Sequence, residues 1–162
     1  MRVSTSSVLS ALEALLEAAV PAAGVTLDVC ARFDGAPAEA VDEHVVELRG
    51  AAGTSVLVGY LTDDDVDEDE EALALGATLR AGVIVVVRRS RRAEQGEEPS
   101  QSEDARQLDG LYDAALDSLR DGRDALAPLS CGRIRILRGQ ALQGADDWFG
   151  RVIPVQFTRP LD

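Results

Sequence analysis

Asp63, Asp65 and Asp67 stand at the one-three-five spacing of a calcium-binding EF-hand loop, inside a run, TDDDVDEDEE (62–71), that holds eight acidic residues. Such a loop needs glycine at its sixth position for the turn and a bidentate glutamate at its twelfth. From Asp63 those places hold Glu68 and Ala74, and from Asp65 they hold Glu70 and Gly76. Both registers fail. The run reads as a solvated charge face or an acidic contact surface, with Asp63, Asp64, Asp65, Asp67 and Glu68 as its contact candidates. Nucleophilic chemistry has little more to work with. His44 is the only histidine, Cys30 and Cys131 are the only cysteines, and no nucleophile elbow is present. Neither cysteine lies beside a helix start or a basic cluster that would favour a thiolate. These three residues do not make a zinc site. The segment 50–53 is too short for a phosphate loop and lacks a lysine. The chain is therefore expected to have no catalytic residue, no metal and no cofactor.

The concentrated positive charge is Arg88-Arg89-Ser90-Arg91-Arg92. Arg88 and Arg89 close a strand pattern and point to opposite faces, which spreads their charge. This group reads as a guarded strand end, or as a contact for an acidic protein or for another copy of this chain. Trp148 and Phe149 open the last strand pattern and also face opposite ways. Both can be core, or one can be an exposed aromatic anchor. Arg88, Arg89, Arg91, Arg92 and Trp148 join the acidic residues as interface candidates.

The elements that must position these groups fit one domain of 162 residues. A chain of this size can bury enough surface to need no disulfide or metal staple. Hydrophobic residues make up 46% but aromatics only 4%, so the core must rest on Ala, Val, Leu and Ile. The formal net charge is −13, and every basic residue is an arginine. A surface of that sign does not suit a general nucleic-acid binder. The N-terminus does not read as a signal peptide, because Glu13 and Glu17 interrupt its apolar stretch, and no apolar run is long enough for a membrane span. A soluble protein of a reducing compartment, with free thiols, is expected.

A helix over 6–20 carries Val8, Leu9, Leu12, Leu15, Leu16 and Ala19 on one stripe. Alternation then predicts a strand over 25–33, a polar connection over 34–43, and strands over 45–48 and 54–61. The strongest strand signal is 79–89, with five β-branched residues in succession from Val83 to Val87. Apolar on both faces, it must be central. After a hydrophilic loop over 91–104, expected to be exposed and flexible, a second helix over 104–121 presents Leu108, Leu111, Tyr112, Ala115, Leu116 and Leu119. Asp121-Gly122 ends it, and two strands follow over 131–138 and 147–159. The fold class is α+β: a mostly antiparallel sheet of about four to six strands with two main helices packed on it.

In this order the segments SVLSALEALLEAA, SVLVGYL, VIVVVRR, GLYDAALDSLRDG and WFGRVIPVQFTRP resemble the phage tail-terminator family, in particular its phage Mu-like branch. The resemblance spans most of the chain, and the acidic run and the 91–104 loop depart from it. It implies a structural virion subunit without enzymatic activity, assembled in the host cytoplasm. Such a subunit forms a hexameric ring that caps the head-proximal end of the tail tube and ends its polymerisation. Its partners are then other copies of itself, the tail tube protein and the head–tail connector, with DNA only as passing cargo and no membrane. An acidic channel wall would repel the phosphate backbone during passage. The alternative is a small cytosolic protein-binding module, a monomeric adaptor that uses the acidic surface.

Overall fold

A computed structural model describes residues 5–47, 53–61, 77–88, 101–130, 132–142 and 148–159. The chain opens with helix α1 (Thr5–Ala22), strand β1 (Val29–Phe33), helix α2 (Pro37–Glu47), and strands β2 (Thr54–Tyr60) and β3 (Ala77–Arg88). Helix α3 (Gln101–Asp121), a short α4 (Arg123–Leu126) and a 3-10 turn (Ala127–Leu129) follow. Strands β4 (Arg135–Ile136), β5 (Gln140–Leu142) and β6 (Trp148–Arg159) complete the order. The six strands form one sheet in the order β1-β2-β3-β6-β4, with β5 also on β6. Among the described residues only the β1–β2 pair is parallel. The fold is α+β with a mostly antiparallel sheet, as the residue pattern predicts.

β3 lies in the middle because its run of β-branched side chains needs cover on both faces. Val83, Val85 and Val87 point to one face, where α1 and α3 pack; Ile84 and Val86 point to the other, under α2. On the first face the stripe Val8, Leu12, Leu16 and Val20 of α1 meets Leu111, Ala115 and Leu119 of α3, all fully buried. This agrees with the two amphipathic patterns. Gly24, at φ +85, turns the chain out of α1 in a conformation that suits glycine.

The second face corrects the sequence reading. The polar connection over 34–43 and the strand over 45–48 are instead one helix, α2, with Pro37 at its first position and Glu39 in its first turn. It crosses from β1 to β2, and such a crossover is what a parallel neighbour requires. Its Ala40, Val41 and Val45 pack over Phe33, Leu57, Ile84 and Val152. Two other boundaries shift. The first strand is only Val29–Phe33, since before it a single backbone bond from Asp28 N–H to Thr54 O stands outside the ladder, while α3 starts at Gln101 and so takes up the end of the expected loop. Asp104 is a buried carboxylate in that first part of the helix, at 4% exposure, and so is not part of an exposed loop. The rest of that loop, 91–100, lies outside the described residues.

The strand expected over 131–138 pairs only at Arg135 and Ile136 before it breaks. Ile136 is opposite Val155, and Gln140 is opposite Val152, so residues 137–139 stand against two residues of β6. One extra residue on one side is a β-bulge, which bends the strand. Its cause lies in α3: the Gly139 N–H leaves the ladder and donates to the Tyr112 hydroxyl at 3.2 Å. Any side chain at Gly139 would collide with the Tyr112 ring.

Candidate functional site

Trp148 opens β6 opposite Arg88, the last residue of β3. The indole is only 5% exposed and lies in the apolar cluster beneath α2. Its Nε1–H donates to Asp42 Oδ1 at 2.7 Å. Trp148 is therefore a core residue that fastens α2 to the sheet, which removes it as an exposed anchor. Phe149, on the opposite face, packs partly buried against the α1/α3 cluster. The two aromatics do face opposite ways, and both serve packing.

Arg88 is half-buried, and its backbone N–H donates to Gly53 O at 2.8 Å. Its place at the strand end holds the start of β2 against the end of β3. Arg89, Arg91 and Arg92 lie outside the described residues, as do Asp63, Asp64, Asp65, Asp67 and Glu68.

Asp28 organises the same corner. One of its carboxylate oxygens accepts from Gly53 N (2.9 Å) and Thr54 N (3.0 Å), and the Thr54 hydroxyl lies 3.2 Å from the same oxygen. The Thr54 hydroxyl in turn donates to Thr26 O at 2.7 Å. These bonds satisfy backbone donors at a strand start that would otherwise be left without partners.

Cys30 and His44 do not come together. Cys30 packs toward α1 on one face of the sheet, and its S–H points at Glu13 O at 3.7 Å. Burial, with Glu13 and then Glu17 adding negative charge, pushes its thiol up to about 11, so it stays protonated at neutral pH. His44 sits on α2, over the other face, with its Nε2 at 3.1 Å from Ser55 Oγ. Ser55 is 2% exposed, so no substrate carbonyl can reach it, and the pair acts as a polar tie between α2 and β2. Cys131 lies outside the described residues. Among the described residues no three His, Cys, Asp or Glu side chains converge as metal ligands. No described helix is long and apolar enough to cross a membrane.

What the described surface does offer is charge in two separate places. Arg133, Arg135 and Arg138 are all exposed along the β4 edge, each separated from the next by apolar residues. Ile134, between the first two, is 5% exposed, so the alternation drives arginines outward while isoleucine anchors the strand. On α3, Asp109, Asp113, Asp117 and Asp121 are exposed at four-residue spacing. Like charges at that spacing cost a helix about 0.2–0.5 kcal/mol per pair. Arg151 partly offsets this at one end, 3.6 Å from Asp109 and with its guanidinium 5.0 Å from the Tyr112 ring centre. Both patterns are legible in the sequence as spacings; they pass unnoticed beside the denser runs at 62–71 and 88–92.

Arg32 shows the opposite use of charge. It lies on β1 and is drawn back onto α1, donating from Nε to Glu13 at 3.1 Å and from Nη2 to Ser6 O at 3.2 Å, with a further bond to Ser10 Oγ. No protein-family model matches this chain, and no curated protein matches it either.

Proposed function

We propose that this chain is a structural assembly subunit of the tail-terminator kind, a ring that caps the head-proximal end of a tail tube and offers a surface to the head connector. The observation that carries the reading is where the resembling segments sit. SVLVGYL, VIVVVRR and WFGRVIPVQFTRP contribute β2, β3 and β6, which are consecutive in the sheet, while SVLSALEALLEAA and GLYDAALDSLRDG contribute α1 and α3, packed together on one face. The resemblance therefore concerns the core of the domain and not a single peripheral segment. The acidic surface fits a channel through which DNA passes without sticking. Cys30 packs toward α1 and His44 ties α2 to β2 through Ser55, so each has a packing role in this reading.

The test uses purified tail tubes and the full-length chain. Labelled protein is expected at one end of each tube in negative-stain images, and tubes grown in its presence are expected to stop lengthening. A chain that leaves tube ends bare and tube growth unchanged would remove the reading. A second reading, a monomeric module that holds a basic partner, is favoured by the exposed aspartate stripe of α3. It predicts a stable monomer whose binding of a basic peptide is lost when Asp113 and Asp117 are changed to Asn.

A further inference from the structure

The sheet ends in two unlike edges. On one side, the Arg88 N–H donates to Gly53 O at 2.8 Å and the Leu61 N–H to Arg80 O at 2.9 Å, so the odd-numbered residues of β2 turn their backbone groups to β3 and the even-numbered ones turn theirs to β1. With Cys30 level with Val56 and Arg32 level with Val58 in the parallel register, Val29, Ala31 and Phe33 turn their backbone groups toward β2, and Cys30 and Arg32 turn theirs outward. Among the described residues no backbone group meets them. β1 also lacks the usual guards of an exposed edge, since it has no proline and no bulge. Its one charge, Arg32, is tied back to α1.

The other side is the β4–β5 edge of β6. Its charge is opposite. Residues 132–142 carry three arginines and no carboxylate, whereas residues 5–47, which surround β1, carry eight carboxylates and one arginine. The directions are also complementary. β1 runs parallel to β2, and three antiparallel steps through β3 and β6 leave β4 antiparallel to β1.

We infer that β1 of one copy adds antiparallel to the β4–β5 edge of a second copy, so that the sheet continues head to tail between subunits. The acidic surroundings of β1, including exposed Asp34 and Glu39, meet Arg135 and Arg138 of the neighbour. Pairing of β1 with another β1 sets two acidic surroundings against each other and is disfavoured. The contact is therefore heterologous, and it closes into a ring when the rotation between copies fits. The bulge at 137–139 bends the receiving edge, so successive copies turn instead of extending as a flat ribbon. The inference rests on the assembly reading only in requiring that copies meet; it needs no tail tube.

The experiment is sedimentation of the full chain over a range of concentrations. Cys30→Pro removes one outward N–H and leaves the bonds to β2 in place, and it is expected to weaken self-association at least about tenfold. Two charge variants keep the test decisive if the proline variant fails to fold. Arg135→Glu with Arg138→Glu, and separately Asp34→Arg with Glu39→Arg, are each expected to stay monomeric alone and to associate when mixed, because mixing restores opposite signs at every contact. Variants that associate like the parent chain, a mixture no better than its parts, or a parent chain monomeric to its solubility limit would each overturn the inference. Tube-end binding is scored separately. Edge-dependent association without tube binding removes the terminator reading and keeps this contact, and tube binding indifferent to these variants does the reverse.

Discussion

Replacing Trp148 with phenylalanine separates what the indole packs against from what its N–H bonds to. The ring is almost fully buried under α2, and its Nε1–H reaches Asp42 Oδ1 at 2.7 Å. A hydrogen bond to a charged acceptor contributes about 1.5–3 kcal/mol. The smaller phenyl ring also leaves a cavity, worth about 1 kcal/mol more. Trp148→Phe is therefore expected to lose about 2–4 kcal/mol in total. With a urea dependence of about 2 kcal/mol per molar, the unfolding midpoint falls by roughly 1–2 M. Asp42→Ala removes the same bond from the other side. In the double-mutant cycle the two changes should couple by at least about 1 kcal/mol, because they share one interaction. Amide exchange gives the local readout: both variants should release protection in Pro37–Glu47 before the rest of the protein opens. Coupling below about 0.3 kcal/mol, or α2 protection unchanged in both variants, would refute the claim that this bond fastens α2 to β6.

Cys30 is expected to react slowly. In a Cys131→Ser background, a thiol pushed from 9.0 to about 11 holds about a hundredfold less thiolate at pH 8, and its modification by a disulfide reagent should slow in proportion. Because the folded-state value is the higher one, the protonated thiol stabilises the fold below pH 9, and this contribution fades as pH rises from 9 toward 11. Denaturant titrations should show that loss, and Cys30→Ala should flatten it. Gly59→Ala should cost about 1–3 kcal/mol or more in denaturant titrations, since the new methyl would lie 2.6 Å from the Phe33 carbonyl oxygen, a backbone atom that cannot rotate away. Gly110→Ala on the exposed side of α3 meets nothing within 4 Å and should stabilise by about 0.5–1 kcal/mol. Val85→Asp places a charge at a fully buried position in the central strand and should abolish soluble expression; a soluble, folded variant would contradict the central placement of β3.

What the sequence by itself determined is the set of elements whose own residues demand burial. The stripes of α1 and α3 repeat often enough to require a helix against a shared core, and the β-branched run Val83–Ile84–Val85–Val86–Val87 has no stable place except between two strands. The α+β class followed from their order. α2 was not legible in the same way. Its apolar side rests on Ala40, Val41 and Val45 among polar neighbours, and Val45-Val46 favours a strand when read locally. Only the uncovered second face of the sheet, with Ile84, Val86 and Trp148 waiting for a partner, makes the helix worth forming there. The failed strand at 131–138 has a similar cause, because the bulge is decided by Tyr112, a residue of α3 far away in sequence. Site residues divide along the same line. That Cys30 is kept apart from His44 and Ser55 depends on which face of the sheet each occupies, and faces are assigned by packing. The charges were always readable as composition, but whether they form edges, stripes or ties is a matter of position. Arg32 and Arg135 are the same residue type on two strands of one sheet. One is folded back onto α1 and the other stands free in solvent, because only tertiary structure sets Glu13 and Ser6 beside the first.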